Sequence, residues 1–435
     1  TNEQNEIAYS LVSLYHTSKA LTETANYLVE GYGYKNRIEN VVRQHLDIAI
    51  KLQNEDSRLC DFVKFIGKDL YCLISNSIWK GTGFQDSIRD LCKKIGDERD
   101  IIELLPSQRR AMEDKLFDVA ANATVLQMPT SAGKTLMAEF NILITKSLRR
   151  DARIVYIVPS RALVNQIYYD LSSDLSVLGL TVEKTSSATE IDPTESDFLI
   201  SDNIDVLVST PEKLDLLIRR NHPSVDDVSL FIVDEAHTIE NGDRGARLEL
   251  LLAMLHRERS NSRFMLLSPF LPDNNNILAD WLGGGHTIRI DWKPSEKLII
   301  GLDVKKTTKK CEVSFDLLPS PFGTNVPEIK KTIDSGINIA SNGAKEHILE
   351  YTVKQYAEKG KTQLILCYGK GTAGNTAKKI AQWADYSNPS EEVELVRKYM
   401  DEEIGEPTLF TNILSKGITV HHAGLSDESK LLIEH

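Results

Sequence analysis

Gly133-Lys134-Thr135 follows the small-residue run Pro129-Thr130-Ser131-Ala132, between an apolar stretch (Thr124 to Met128) and a helix-forming stretch (Leu136 to Lys146). A strand, a tight loop and a helix N-terminus make a cradle for phosphate. Backbone N–H groups and the helix dipole favour the anion, Lys134 supplies a cation, and the Thr135 hydroxyl can ligate Mg²⁺. The usual loop of this kind has a glycine four residues before the Gly-Lys pair. Pro129 and its neighbours stand there instead, so on the loop alone an ordinary Gly-Lys turn opening a helix remains an alternative.

A second constellation stands about a hundred residues on. Leu230-Phe-Ile-Val233 is a short apolar run suited to a buried parallel strand, and Asp234-Glu235-Ala236-His237 follows at its end. Paired carboxylates at a strand end suit metal-assisted phosphoryl transfer. Asp234 can hold Mg²⁺ through water, and Glu235 can orient or deprotonate an attacking water. His237 lies where it could sense the terminal phosphate. The order of loop and carboxylates along the chain favours a phosphoryl-transfer site over a solvated turn.

Together these residues resemble superfamily 2 helicases, specifically the Ski-like DExH branch, from about Leu105 to His435. Gln108 looks like the adenine-reading glutamine, Val158-Pro-Ser-Arg161-Ala-Leu163 resembles motif Ia, and Ser209-Thr210-Pro-Glu-Lys213 resembles motif Ib. Ser268-Pro-Phe-Leu-Pro272 sits where motif III belongs. Asp243-Arg-Gly-Ala-Arg-Leu-Glu249 and Gly417-Ile-Thr-Val-His-His-Ala-Gly424-Leu425 are similar to two signatures of that branch. The resemblance implies tandem RecA-like domains binding ATP and Mg²⁺. Residues 129–135 and Gln108 would hold the nucleotide, and Thr135 and Asp234 the metal. Lys134, Asp234, Glu235 and His237 would serve catalysis. Arg161, Thr210, Ser268, Lys370 and Gly424 would grip a single-stranded or partly duplex nucleic acid, DNA ahead of RNA.

Two departures stand out. The family usually has Ser-Ala-Thr in motif III, but Pro269 and Phe270 follow Ser268 here. The family's motifs V and VI, with the arginines that complete the ATP site, lie downstream of the His-His-Ala-Gly-Leu segment. The chain begins at Thr1 and stops at His435, so it is expected to be part of a longer protein.

The 435 residues are too many for one core. A composition of 41% hydrophobic and 26% charged residues is that of an ordinary globular protein. No apolar run reaches membrane-spanning length, and no secretory signal opens the chain. Five scattered cysteines without a Cys-x-x-Cys indicate neither zinc nor a disulfide framework, so a cytoplasmic location is expected. A net charge of −12 excludes a binder that holds nucleic acid by global charge. It leaves room for a motor that grips a strand in a groove. The basic clusters Lys305-Lys306 with Lys309-Lys310, Lys330-Lys331 and Arg219-Arg220 read first as solvated surface.

These residues need positioning elements. Residues 1–97 lack proline, and Ile7, Leu11, Leu14, Leu21 and Tyr27 fall at helical spacing, which predicts an all-helical N-terminal domain and a place for a protein partner to dock. Over 98–292, apolar runs alternate with longer amphipathic segments, the pattern of a parallel sheet covered on both faces. Residues 293–435 are expected to hold a linker and the first part of a second motor domain, with an irregular excursion or β-hairpin before about Asn342, a strand at Gln363–Tyr368 and a Gly-rich loop into a helix. The expected fold is therefore α/β: tandem RecA-like parallel-sheet domains behind a helical N-terminal domain. The function expected is an ATP-dependent helicase or translocase. The alternative is an ATP-driven nucleic-acid clamp controlling an effector such as a nuclease, as in bacterial anti-phage helicases of the Hachiman type, which are similar in general plan.

Overall fold

The computed structural model describes residues 2–31, 37–53, 57–83, 85–185, 204–270, 276–294, 299–306, 311–318, 330–333, 344–382, 384, 390–404, 409–422 and 424–434. Part of the expected motif III (Leu271, Pro272), Lys309-Lys310, the prolines at 319, 321 and 327, and Ala423 lie outside these residues. The chain divides into two compact units, Thr1–Glu296 and Lys297–His435.

The first unit opens with helices α1 (Asn2–Glu30), α2 (Ile38–Lys51), α3 (Arg58–Asn76), the single turn α4 (Ile78–Gly81) and α5 (Arg89–Arg99). Ser57 caps α3 by accepting the Cys60 N–H at 3.1 Å, and α3 buries Val63, Leu70 and Ile74. α1 is the helix that the spacing predicts, but most of the spaced apolar residues lie on its outer face. Ile7, Leu11, Leu14 and Leu21 face solvent, while Ser13, Thr17, Ala20, Thr24 and Tyr27 are buried. Small side chains let α1 lie close on α2, and their hydroxyls are all bonded. Ser13 Oγ donates to the Ala49 carbonyl at 2.8 Å, and Thr17 and Thr24 donate to the carbonyls four residues back. With every hydroxyl satisfied, burying this polar face carries little penalty.

After α6 (Pro106–Glu113) come β1 (Ala123–Gln127), α7 (Lys134–Leu148), β2 (Arg153–Ile157), α8 (Arg161–Leu175), β3 (Val182–Lys184), β4 (Val206–Ser209), α9 (Pro211–Arg219), β5 (Val228–Val233), α10 (Gly242–Glu258), β6 (Arg263–Ser268), α11 (Ile277–Trp281) and β7 (Gly285–Arg289). The seven strands form one parallel sheet in the order β3-β4-β2-β5-β6-β1-β7. Alternate residues feed two cores. Leu126, Tyr156, Ile232 and Met265 pack with α7 and α8, and Val125, Ile157, Phe231 and Leu266 pack with α9 and α10. This is the two-faced burial that near-continuous apolar strands require. It makes an α/β parallel-sheet domain of the RecA-like kind, preceded by helices.

In the second unit, β8 (Ile299–Lys306), β9 (Cys311–Leu318) and β10 (Lys330–Ile333) form an antiparallel sheet in the order β10-β9-β8, where a hairpin was expected. Helices α12 (Ala344–Ala357), α13 (Lys370–Ala381), α14 (Glu391–Ile404), α15 (Leu409–Leu414) and α16 (Asp427–Glu434) follow. The strand expected at Gln363–Tyr368 is not one: the segment joins no ladder among the described residues, and Leu364, Leu366 and Tyr368 stand in solvent. Alternation marks which residues share a face, but a strand also needs a neighbour to take its backbone N–H and C=O groups.

Candidate nucleotide site

The loop from Met128 to Gly133 joins β1 to α7 at the carboxyl edge of the sheet. Its backbone turns on two left-handed residues, Ser131 (φ 63°) and Gly133 (φ 87°). A side chain at Gly133 has no room, since its Cβ would lie 2.1 Å from Gln108 Nε2. Ser107 and Gln108 on α6 hold the loop from one side. Ser107 Oγ donates to the Ala132 carbonyl at 3.0 Å, and Gln108 Nε2 donates to the Gly133 carbonyl at 3.3 Å. Gln108 Oε1 in turn accepts the Leu105 N–H at 2.9 Å. The glutamine expected to read adenine is thus buried and braces the phosphate loop. Lys134 Nζ lies back on the loop, donating to the carbonyls of Met128 at 3.1 Å and Pro129 at 3.4 Å.

The carboxylates come from β5. Neighbouring strands β5, β6 and β1 bring the end of β5 and the loop after β1 to one edge, with Ser268 of β6 between them. Asp234 N donates to the Ile157 carbonyl at 2.8 Å, and Asp234 Oδ1 accepts the Glu235 N–H at 2.8 Å. Asp234 Oδ2 accepts the hydroxyl of Tyr156 at 3.2 Å. Glu235 adopts a left-handed backbone (φ 51°, ψ 43°), rare for a residue with a side chain and frequent at functional sites. His237 Nδ1 lies 3.1 Å from Glu235 Oε2, at ion-pair distance without the alignment of a hydrogen bond. Just beyond, Gly245 of the Arg-Gly-Ala-Arg-Leu-Glu segment starts α10 hard against this turn. A Cβ there would meet the Ile239 carbonyl oxygen at 2.2 Å.

Burial sets the electrostatics. It pushes the Asp234 carboxyl up and is also the main cause of the upward shift at Glu235, where the neighbouring Asp234 charge adds to it. Burial lowers Lys134, against the attraction of Glu235 and Asp234. Tyr156 is pushed well above the usual phenol range, first by burial and then by Asp234, so it remains a donor. Tyr156 escaped the sequence reading. Its signal was a phenol in the middle of the apolar strand Arg153-Ile-Val-Tyr-Ile157, where a buried hydroxyl needs a partner.

Of the residues expected at nucleic acid, Arg161 begins α8 in solvent and Thr210 caps α9, its hydroxyl accepting the Lys213 N–H at 3.4 Å. Both stand at the carboxyl edge with the nucleotide loop. Ser268 is fully buried, and its Oγ donates to the Phe270 carbonyl at 2.6 Å. A direct strand contact is closed to it in this structure, and its hydroxyl shapes the turn into Pro269-Phe270. In the second unit, Lys370 and Gly424 come together: a Cβ at Gly424 would lie 2.8 Å from Lys370 Nζ.

Residues 105–276 match the DEAD/DEAH box helicase family model. Proteins named ATP-dependent DNA helicase Hel308 are similar to this chain. The one from Methanocaldococcus jannaschii is 29% identical over 80% of this chain and 27% of its own length. The one from Thermococcus kodakarensis is 27% identical over 80% of this chain and 27% of its own, and the one from Pyrococcus abyssi 27% identical over 80% and 43%. The chain spans between about a quarter and under half of these relatives. No helix among the described residues is long and apolar enough to cross a membrane.

Proposed function

We propose that this chain is the nucleotide-binding part of an ATP-dependent DNA helicase or translocase of superfamily 2, of the Ski-like kind. The observation that carries the reading is the placement of the Lys134 loop after β1 and the Asp234-Glu235 pair after β5 at one carboxyl edge of the sheet, where a left-handed loop opens α7. Ligands of open parallel sheets bind at that edge. Similarity to proteins named DNA helicases favours DNA over RNA and a motor over a clamp.

In this reading the loop's N–H groups and Lys134 bind the β- and γ-phosphates, Lys134 exchanging its two loop carbonyls for phosphate oxygens. Gln108 would read adenine beside the loop that it braces. Thr135 and Asp234 hold Mg²⁺. No group of three or more His, Cys, Asp or Glu able to hold a metal occurs among the described residues. A hydroxyl with one or two carboxylates therefore suits an ion that keeps waters and shares its coordination with phosphates, as Mg²⁺ does. The ion would neutralise charge on the phosphates. Glu235, its affinity for protons raised by burial, orients and deprotonates the attacking water. His237, beside Glu235, passes on the state of the site. In the first unit Arg161 and Thr210, and in the second, by itself, Lys370 and Gly424, would contact a sugar–phosphate backbone, which carries little sequence information. The domain division proposed is a helical region over 1–97, a nucleotide-binding domain over 98–292, and a linker with part of a second motor domain over 293–435.

The test is ATP turnover with single-stranded DNA, with single-stranded RNA and with neither, followed by strand displacement on a tailed duplex. DNA-stimulated turnover with displacement is expected. Turnover indifferent to nucleic acid would remove the motor, and stimulation without displacement would revive the clamp.

A further inference from the structure

Helix α1 carries two stripes. The one against α2 is polar and small, as described above. The other lies about a third of a turn away and is apolar, and among the described residues nothing covers it. Its side chains Ile7, Leu11, Leu14, Tyr15, Leu21 and Val29 remain between 43% and 62% exposed. Ser18 and Ala25 complete the row, giving steps of three or four residues from end to end, with the neighbours Leu14 and Tyr15 sharing one step. That is the spacing of a seam that packs knobs into holes against another helix. A lone surface leucine needs no explanation, but a row of six does. Half-exposed side chains of this size leave roughly 100 Å² each, so the row offers about 600 Å², the upper end of what monomers leave exposed.

The row is close to symmetric about Ser18. Ile7 and Val29 lie eleven residues to either side, Leu11 and Ala25 seven, and Tyr15 and Leu21 three. Turned end over end, it meets itself with apolar opposite apolar on either side of a small centre: Ile7 over Val29, Leu11 over Ala25, Tyr15 over Leu21, and Ser18 over Ser18. This is what a two-fold, self-complementary interface demands. The contact would run ~33 Å along the helix at 1.5 Å per residue. A standard interface buries roughly 800 Å² per partner, close to what the row and its flanks supply. Charge argues against two other occupants. The described carboxylates of α1 are Glu6, Glu23 and Glu30 against the single cation Lys19, whereas nucleic acid and anionic membranes call for a basic helix.

We propose that the exposed stripe of α1 is a docking surface for a second copy of this chain, the two α1 helices running antiparallel with Ser18 on the two-fold axis. The pairing joins two nucleotide-binding units through their N-terminal helices.

Sedimentation of the intact chain at micromolar concentration tests it, with the mass expected to be twice that of one chain. A Leu11→Glu, Leu21→Glu double variant changes only solvent-facing positions, so it should keep the thermal midpoint and halve the mass. Orientation is read by oxidation in a Cys72→Ser background, since Cys72 is an exposed free thiol. Ser18→Cys should form a disulfide-linked dimer, and Leu11→Cys should not. A monomeric chain at these concentrations overturns the proposal. So does equal cross-linking at positions 11 and 18, which marks a parallel seam, and so does a Ser18→Cys chain that joins only a different polypeptide.

Discussion

The hydroxyl of Tyr156 donates to Asp234 Oδ2 at 3.2 Å across neighbouring strands β2 and β5, so the carboxylate proposed as a metal ligand is oriented from inside the sheet. With the Glu235 N–H on Oδ1, both oxygens of Asp234 have protein donors and the side chain has one setting.

Tyr156→Phe keeps the packing and removes that donor. A hydrogen bond to a charged group contributes about 1.5–3 kcal/mol, so turnover should fall roughly tenfold to a hundredfold if the orientation matters to the reaction. The Mg²⁺ concentration for half-maximal turnover should rise with it. A variant with unchanged Mg²⁺ dependence would show that the phenol only fills space.

Lys134→Ala removes the cation on the phosphates. Turnover should disappear, and binding of a fluorescent nucleotide should weaken. Because Lys134 bonds the Met128 and Pro129 carbonyls of its own loop, the nucleotide-free fold should be little changed, and the circular dichroism spectrum checks that. Near wild-type turnover would place the reaction elsewhere.

Glu235→Gln preserves shape and removes the proposed base. Nucleotide should still bind while hydrolysis drops by roughly 10²–10⁴. Added ATP should then hold the variant on single-stranded DNA. If DNA affinity is the same with and without ATP, nucleotide does not control the grip.

Glu139 of α7 is buried, with one carboxylate oxygen unpaired, near Asp174, which Lys94 at 3.1 Å and Arg99 hold from α5. Burial first, and then the Asp174 charge, push its carboxyl well above the usual range. The unfolded chain therefore gives up this proton at lower pH than the folded one, and stability falls as pH rises from about 4.3 towards the folded value. Glu139→Gln removes that dependence. Its thermal midpoint should exceed the wild type's by more at pH 8 than at pH 5, and an equal gap at both would contradict a buried, proton-holding Glu139.

Gly133→Ala strains a left-handed position, which costs about 1–2 kcal/mol for a residue with a Cβ, and drives that Cβ into Gln108. Nucleotide binding should weaken markedly. Titration with a fluorescent nucleotide checks this, and binding as tight as the wild type's would mean that neither the strain nor the clash at Gly133 matters.

The nucleotide site could be read early because its chemistry is local. Gly133-Lys134-Thr135 needs only its own loop and helix to make a cradle, and Asp234-Glu235 needs only a strand to end there. The apolar runs of β1, β2, β4, β5 and β6 are long enough to mark buried strands whatever their order. Where the reading failed, the missing information was the identity of a neighbour. Ile7, Leu11, Leu14 and Leu21 have helical spacing, but spacing cannot say which stripe meets α2. The close approach of two helices chose the small residues Ser13, Thr17 and Ala20. Gln363–Tyr368 alternates like a strand, but a ladder takes a second strand that no alternation supplies.

By itself, then, the sequence determined that residues 98–292 alternate as a covered parallel sheet requires, with a Gly-Lys-Thr loop and paired carboxylates at strand ends, because periodicity and turn chemistry act over a few residues. Only the tertiary structure decided that β6 separates β1 from β5, that Tyr156 reaches Asp234, that Gln108 braces Gly133, and that Ser268 is sealed from solvent. Each of these joins residues far apart in the chain. Strand order and helix packing settle such contacts through the burial of whole faces, and no short window of residues contains that.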